Sequence, residues 1–240
     1  DVHPFVKNNP EAVFIHYTDI KSKRDTQNLQ DAGYKLAKEL IVKTTGGYPN
    51  SISTKIIIKP NWTGAGPKDG KPVYEKLGTN TDPNFVVGWV NGMREAGPRK
   101  YYVRESGSPH FWEDMGYYSV TEKNGIDLKD LSSMDIWELK KGRDLNFVEI
   151  PGGVVFREAA YLAPVNEPDT FLVNIAKFKS HGMGITASIK NLQGLTAYTF
   201  KQFCTRYDLV RKKYNKRYYK YFRKDFERHI EALYAKHVKG

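Results

Sequence analysis

Lys55-Ile56-Ile57-Ile58-Lys59-Pro60-Asn61 is the stretch that decides the fold. Three consecutive isoleucines leave no polar face, so the run reads as a strand buried on both sides, the kind found in parallel sheets covered by helices. Upstream, Gly46-Gly47-Tyr48-Pro49-Asn50 breaks the chain. Before that break, residues 25–42 place Leu29, Ala32, Leu36, Leu40 and Ile41 at helical spacing, and Ala12-Val13-Phe14-Ile15 reads as a short strand. Together these form a first β-α-β unit.

Downstream lies a Gly/Pro-rich loop over residues 64–78. Thr81-Asp82-Pro83 then has the grammar of a helix start, a capping side chain followed by proline in the first turn. Phe85, Val86, Trp89, Val90 and Met93 supply the buried face of that helix, and Gly97-Pro98 stops it. Lys100-Tyr101-Tyr102-Val103-Arg104 is the next strand, closing at Glu105-Ser106-Gly107-Ser108. The second half is less regular, with a helix near residues 111–123 and strands near 146–150, 154–156 and 170–176. The alternation predicts an α/β fold, a mainly parallel sheet with helices on both faces. With no repeat or low-complexity linker, residues 1–240 read as one domain.

Composition narrows the function classes. The 240 residues are 40% hydrophobic, enough for a proper core. No apolar run approaches the ~20 residues that span a bilayer, and Asp1-Val2-His3-Pro4 has neither a basic nor an apolar leader region. The lone Cys204 excludes an internal disulfide framework and a Cys-based zinc or iron–sulfur site within this chain. The net charge of +11 is concentrated at one end, because residues 201–240 hold thirteen Lys and Arg against four acidic residues.

The residues that can carry chemistry fall at the carboxyl ends of the predicted strands, where loops converge and helix N-termini offer unpaired N–H groups. Lys59-Pro60-Asn61 follows one strand, Glu105-Ser106 another, and Lys177-Phe178-Lys179-Ser180-His181-Gly182 a third. From Lys177 to Gly194 the chain runs KFKSHGMGITASIKNLQG, and glycines beside charged side chains mark a backbone that turns sharply or approaches a ligand closely. Lys59, Asn61, Lys177, Lys179, Ser180 and Asn191 are candidate ligand-binding residues for a carboxylate or phosphate. His181, Lys190 and Glu105 are candidate catalytic residues, His181 also a candidate metal ligand through its neutral imidazole. Against these stand plainer readings: solvated lysines at a strand end, a structural histidine, and Glu105 paired with Arg104 or Lys100. Asn61-Trp62-Thr63 also matches a glycosylation sequon, a short pattern of low specificity. No triad, P-loop or dinucleotide fingerprint is present.

Asn9-Pro10-Glu11-Ala12-Val13-Phe14, IIIKPNW, TNTDPNFV and KFKSHGMGITASIKNLQG resemble the domain-of-unknown-function family 362 over nearly the full length. The resemblance implies export as the favoured localisation, since members commonly carry twin-arginine signals, and some carry an appended iron–sulfur module. It also implies further strands beyond the position of Gly240, so that this chain corresponds to the amino-terminal portion of a longer member. The same His-and-Lys stretch is similar to a segment of the nickel-pincer lactate racemases. That similarity implies a cofactor lysine at Lys190 and a metal or acid–base histidine at His181.

At the C-terminus, Val210, Tyr214, Tyr218, Phe222, Phe226 and Ile230 recur every four residues, as in a long basic amphipathic helix. Its other face carries Arg211, Lys212, Lys213, Lys216, Arg217, Lys220, Arg223 and Lys224. Packing of the aromatic stripe on the sheet domain, a missing segment or a protein partner is preferred over nucleic-acid binding, because charge runs are usually solvated faces. Three functions remain: a small-anion or metal-cofactor site, in one form that of an enzyme acting on a carboxylate or phosphate compound; a structural or interaction subunit of an extracellular or periplasmic assembly; and nucleic-acid binding. The cofactor is left unassigned.

Overall fold

A computed structural model describes residues 2–13, 15–22, 24–42, 55–62, 79–105, 112, 116–130, 140–152, 158–181, 184–196, 207–208 and 213–214. In chain order the elements begin with α1 (Pro4–Asn8), α2 (Thr26–Leu40), β1 (Lys55–Pro60), α3 (Pro83–Ala96), β2 (Lys100–Glu105), α4 (Tyr117–Lys123) and β3 (Ile126–Asp130). They continue with β4 (Leu145–Glu149), β5 (Glu158–Leu162), β6 (Thr170–Ile175), β7 (Lys179–His181), β8 (Gly184–Thr186) and α5 (Ser188–Leu192).

The isoleucine run is β1, and it lies inside a four-stranded parallel sheet ordered β3-β2-β1-β6. Ile57 stands level with Tyr102 of β2 and with Leu172 of β6. Because side chains alternate along a strand, Ile56 and Ile58 enter one core with residues of α2, α3 and α4, including Ala37, Val86, Val90 and Tyr117. Ile57 enters a second core with Val165, Leu195 and Tyr161, the last from the antiparallel β4–β5 hairpin. Burial on both faces is why the run has no polar side.

Local chemistry sets the helix ends. The Asp82 carboxylate accepts from Asn84 N at 2.8 Å, Pro83 fits the first turn, and Gly97 closes α3 at φ 121°. Asp25 caps α2 by accepting from Asn28 N at 3.2 Å. The two helices then pack backbone to backbone. A Cβ on Gly88 would lie 1.9 Å from Gln30 O, and one on Gly33 would lie 2.2 Å from Phe85 O.

Several elements differ from the sequence reading. Ala12, Val13 and Ile15 are not in a strand: Val13 is 84% and Ile15 71% exposed, and among the described residues no strand pairs with them, so extension gains nothing. The first β-α-β unit is therefore β1-α3-β2. The helix expected over 111–123 is the shorter α4, which starts after Gly116 at φ 70°. The expected strand at 154–156 lies outside the described residues. β3 escaped notice because Ile126-Asp127-Leu128-Lys129-Asp130 is a polar-rich edge strand. Of the expected C-terminal helix, Lys213–Tyr214 pairs antiparallel with Tyr207–Asp208 instead, and the remaining stripe lies outside the described residues.

The start of β1 is clamped to the loop before β6. Lys55 Nζ donates to Glu167 Oε2 at 2.7 Å, Asn146 Nδ2 donates to Glu167 Oε1 at 3.2 Å, and Lys55 N donates to Asp169 O at 3.1 Å. The Lys55 hydrogen bond holds the Glu167 carboxyl below the usual glutamate value.

Two outcomes are expected. Gly88→Ala forces α2 and α3 apart and lowers stability by about 1–3 kcal/mol or more, read from the urea midpoint. Because the folded Glu167 value is depressed, its stabilisation is present above the ordinary glutamate range and is lost as pH falls through the lowered value. The stability gap between wild type and Glu167→Gln should thus close on acidification below about pH 4.

Candidate functional site

β1 sends its connections to β2 on one side and, after β3, β4 and β5, to β6 on the other, so the carboxyl end of β1 borders the switch point of the sheet. At that end Lys59 is fully buried, and its ammonium forms an ion pair with the equally buried Glu105 at the end of β2. Lys59 Nζ also donates to Pro60 O at 2.5 Å and to Asn191 Oδ1 at 3.1 Å. Trp62 N donates to the same Glu105 Oε2 at 3.3 Å. Burial pulls the Lys59 ammonium below the ordinary lysine value, with the Glu105 charge and hydrogen bond acting against it.

Glu105 pairs with neither of its sequence neighbours. Arg104 points to the opposite side of β2, where its Nε donates to Ala163 O at 2.5 Å and its Nη2 meets Asp127 Oδ2 at 3.2 Å. Lys100 sits at the far end of the same strand.

Asn191 of α5 ties the switch point together. Its Oδ1 accepts from Lys59 Nζ and from Asn61 Nδ2 at 3.0 Å, and its Nδ2 donates to Lys59 O at 3.0 Å and Asn174 Oδ1 at 2.8 Å. Asn174 Nδ2 in turn donates to Ser188 O at 2.8 Å, fixing α5 to the end of β6. On the other flank Thr81 Oγ1 accepts from Asn61 N at 2.8 Å and donates to Ile175 O at 2.7 Å. Trp62 Nε1 donates to Thr81 O at 2.8 Å, and the Trp62 ring stacks on Tyr117 with centroids 4.0 Å apart. Gly194 closes the floor, since a Cβ there would lie 2.2 Å from Glu105 Oε1 and 2.3 Å from Lys59 Cε.

The candidates thus divide into two groups. Lys59, Asn61, Glu105 and Asn191 are buried and bonded to one another. Lys177, Lys179 and Lys190 are half-buried above them. Lys177-Phe178-Lys179-Ser180 alternates between half-buried and exposed, so the two lysines turn inward while Phe178, 77% exposed, and Ser180 face solvent. Lys179 Nζ donates to Thr79 O at 2.5 Å. Its ammonium is held below the ordinary lysine value by burial and by the nearby Lys190 charge; Lys59 and Lys177 add to this, and Glu105 opposes it. Lys177 lies near Asp82, whose carboxyl is pushed up by burial.

His181 is placed by its backbone, which pairs with Gly184 across the β7–β8 turn; its side chain lies outside the described residues. Among the described residues no three His, Cys, Asp or Glu side chains gather as a metal site. No described helix is long and apolar enough to cross a membrane. The sequon is not available as an acceptor in this fold, because Asn61 is 3% exposed. Sequence reasoning missed Thr81, read only as part of a helix start, and Asn174, which no local pattern distinguishes from an ordinary strand residue.

The fold is a parallel α/β arrangement with a buried Lys59–Glu105 ion pair at the carboxyl ends of its strands. A family model for a domain of unknown function, DUF362, matches residues 56–236, and the chain belongs to that family. No curated protein and no solved structure matches it. The likeness to nickel-pincer lactate racemases accordingly has no match behind it.

Lys59→Met alone strands a buried carboxylate and should cost about 3–5 kcal/mol, whereas Lys59→Met combined with Glu105→Leu should recover much of that loss. Urea unfolding of the two single variants and the double variant measures this coupling. Additive losses would show that the pair does not act as a unit.

Proposed function

We propose that this domain binds a small anionic compound, a carboxylate or a phosphate, in the crevice at the carboxyl ends of β1 and β6. Lys179 and Lys190 supply the charge, and His181 supplies proton transfer if the ligand is also a substrate. The observation that carries the reading is that Lys179 is held on Thr79 O while Lys190 adjoins Asn191, whose side chain is bonded to Lys59, so that basic residues gather at the strand end where Lys59 is paired with Glu105. Like charges at half-buried positions repel one another, and a bound anion would lower that repulsion. The rigid frame of Asn191, Asn174 and Thr81 beneath them is the kind of support that keeps a binding geometry fixed.

Calorimetric titration with inorganic phosphate and small carboxylates tests the reading. Binding to wild type should be weakened severalfold or more by Lys179→Ala and Lys190→Ala, and unaffected by Lys7→Ala on the exposed face of α1. Binding untouched by the first two substitutions, in chains that remain folded, would overturn it. Loss of turnover with retained binding in His181→Ala would mark the enzyme form of the proposal.

The pH dependence has a definite sign. An anion favours protonated Lys179, so affinity is full near neutrality and declines as pH rises through that lysine's lowered value, before an ordinary lysine at about 10.4 would titrate. Titrations in buffers of different ionisation enthalpy should then register proton uptake on binding at alkaline pH.

A further inference from the structure

Between Glu11 and Asp19 the chain carries no Asp, Glu, Lys or Arg, and Val13, Ile15 and Tyr17 recur at every second position. All three stand in water, 84%, 71% and 89% exposed. The side chain between the last two, His16, turns to α2, where its Nδ1 lies 3.5 Å from Glu39 Oε1. An apolar alternation of period two is a strand's pattern, and among the described residues it has no strand to join.

The sheet has two edges of opposite character. β3 carries Asp127, Lys129 and Asp130, charges that discourage a further strand. β6 has no charged residue from Thr170 to Ile175, and among the described residues it pairs with β1 alone. Its outer N–H and C=O groups are a template for strand addition. Leu172 is 40% exposed although Ile57, level with it on β1, is 1% exposed. Asn174 lies on the same face as Leu172, and its Nδ2 brings α5 there by donating to Ser188 O at 2.8 Å. The next residue, Ile189, is 88% exposed. Apolar surface thus flanks an open, uncharged edge.

We infer that residues 12–18 of one copy add as a strand to the outer edge of β6 in a second copy, and that two copies exchange these arms. The lengths agree, seven residues against six in β6. With the strands antiparallel and Ile15 opposite Leu172, Val13 meets Asn174 and Tyr17 meets Thr170, all on the face where Leu172 and Ile189 are exposed. The ends also match in charge. Glu11 falls at the Lys177 end, and the net basic run over residues 19–24 falls at the end bearing Glu167 and Asp169. A parallel alignment reverses both matches. Because every copy has an arm and an edge, exchange closes a two-fold dimer with neither left over.

Sedimentation equilibrium of the full chain from about 1 to 500 µM tests the exchange. The mass should rise from that of one chain to that of two. Ile15→Lys and Leu172→Lys each put a charge at an already exposed position and should raise the dissociation constant about tenfold or more. The near-ultraviolet signal of the buried Trp62 and Trp112 should stay unchanged in both, and Ile150→Lys, exposed elsewhere, should leave the dimer intact. The Ile15→Lys chain keeps an edge and the Leu172→Lys chain keeps an arm, so their equimolar mixture should associate more tightly than either alone. A chain that stays monomeric throughout, or grows beyond a dimer, overturns the exchange. A dimer that survives Leu172→Lys, or a mixture no tighter than its components, overturns the contact between arm and edge.

Discussion

Placing a lysine and a glutamate together where neither touches water costs several kcal/mol per ion in lost hydration, and the pair persists only if every surrounding group helps to carry the charge. Lys59 and Glu105 meet that demand through Pro60 O, Asn191 and the Trp62 amide. The demand propagates outward. Asn191 can serve Lys59 only if α5 lies across the ends of β1 and β6, and the floor can close only if residue 194 has no side chain. Trp62 can turn its amide toward Glu105 only if its ring is fixed elsewhere, which Tyr117, Trp112 and Thr81 accomplish. The ion pair therefore specifies how three strand ends, a loop and a short helix sit relative to one another, more than it adds net stability.

This organisation separates support from exposure. The buried residues Lys59, Asn61 and Asn191 are bonded to one another. The half-buried lysines above them are rooted in backbone that the buried set has immobilised. Lys190 inherits its position from Asn191, and Lys177 and Lys179 inherit theirs from the end of β6, joined to Asn61 through Thr81. In the anion-binding reading, such a frame would keep the basic residues at the strand ends in fixed positions.

The two faces of the sheet do different work. The face bearing Ile56 and Ile58 is covered by helices whose glycines allow near-contact of backbones, giving a thick conventional core. The face bearing Ile57 packs, among the described residues, on Val165, Leu195, Tyr161 and Leu192, and the turn after α5 comes down onto Lys59 and Glu105. Short, hydrogen-bonded cover on that side allows residues distant in sequence to reach the strand ends.

The sequence by itself determined the elements whose signals are local. Three isoleucines identified a central strand, Thr81-Asp82-Pro83 and Gly97-Pro98 bounded α3, and the period of Leu29, Leu36 and Leu40 marked α2, because burial pattern and capping are read within a few residues. It also located Lys59 and Glu105 at strand ends, since chain reversals and polar residues mark those places, whereas Lys190 and Asn191, expected there too, lie on α5. Only the tertiary structure decided which of them pair. Lys59 and Glu105 are 46 positions apart, and Asn191 reaches Lys59 across 132. Partners at such separations are chosen by strand order and register, which arise from the packing of the whole sheet and leave no trace in a local pattern. The same reason explains Val13 and Ile15: they satisfy a strand's local rule, but none of the described strands pairs with them.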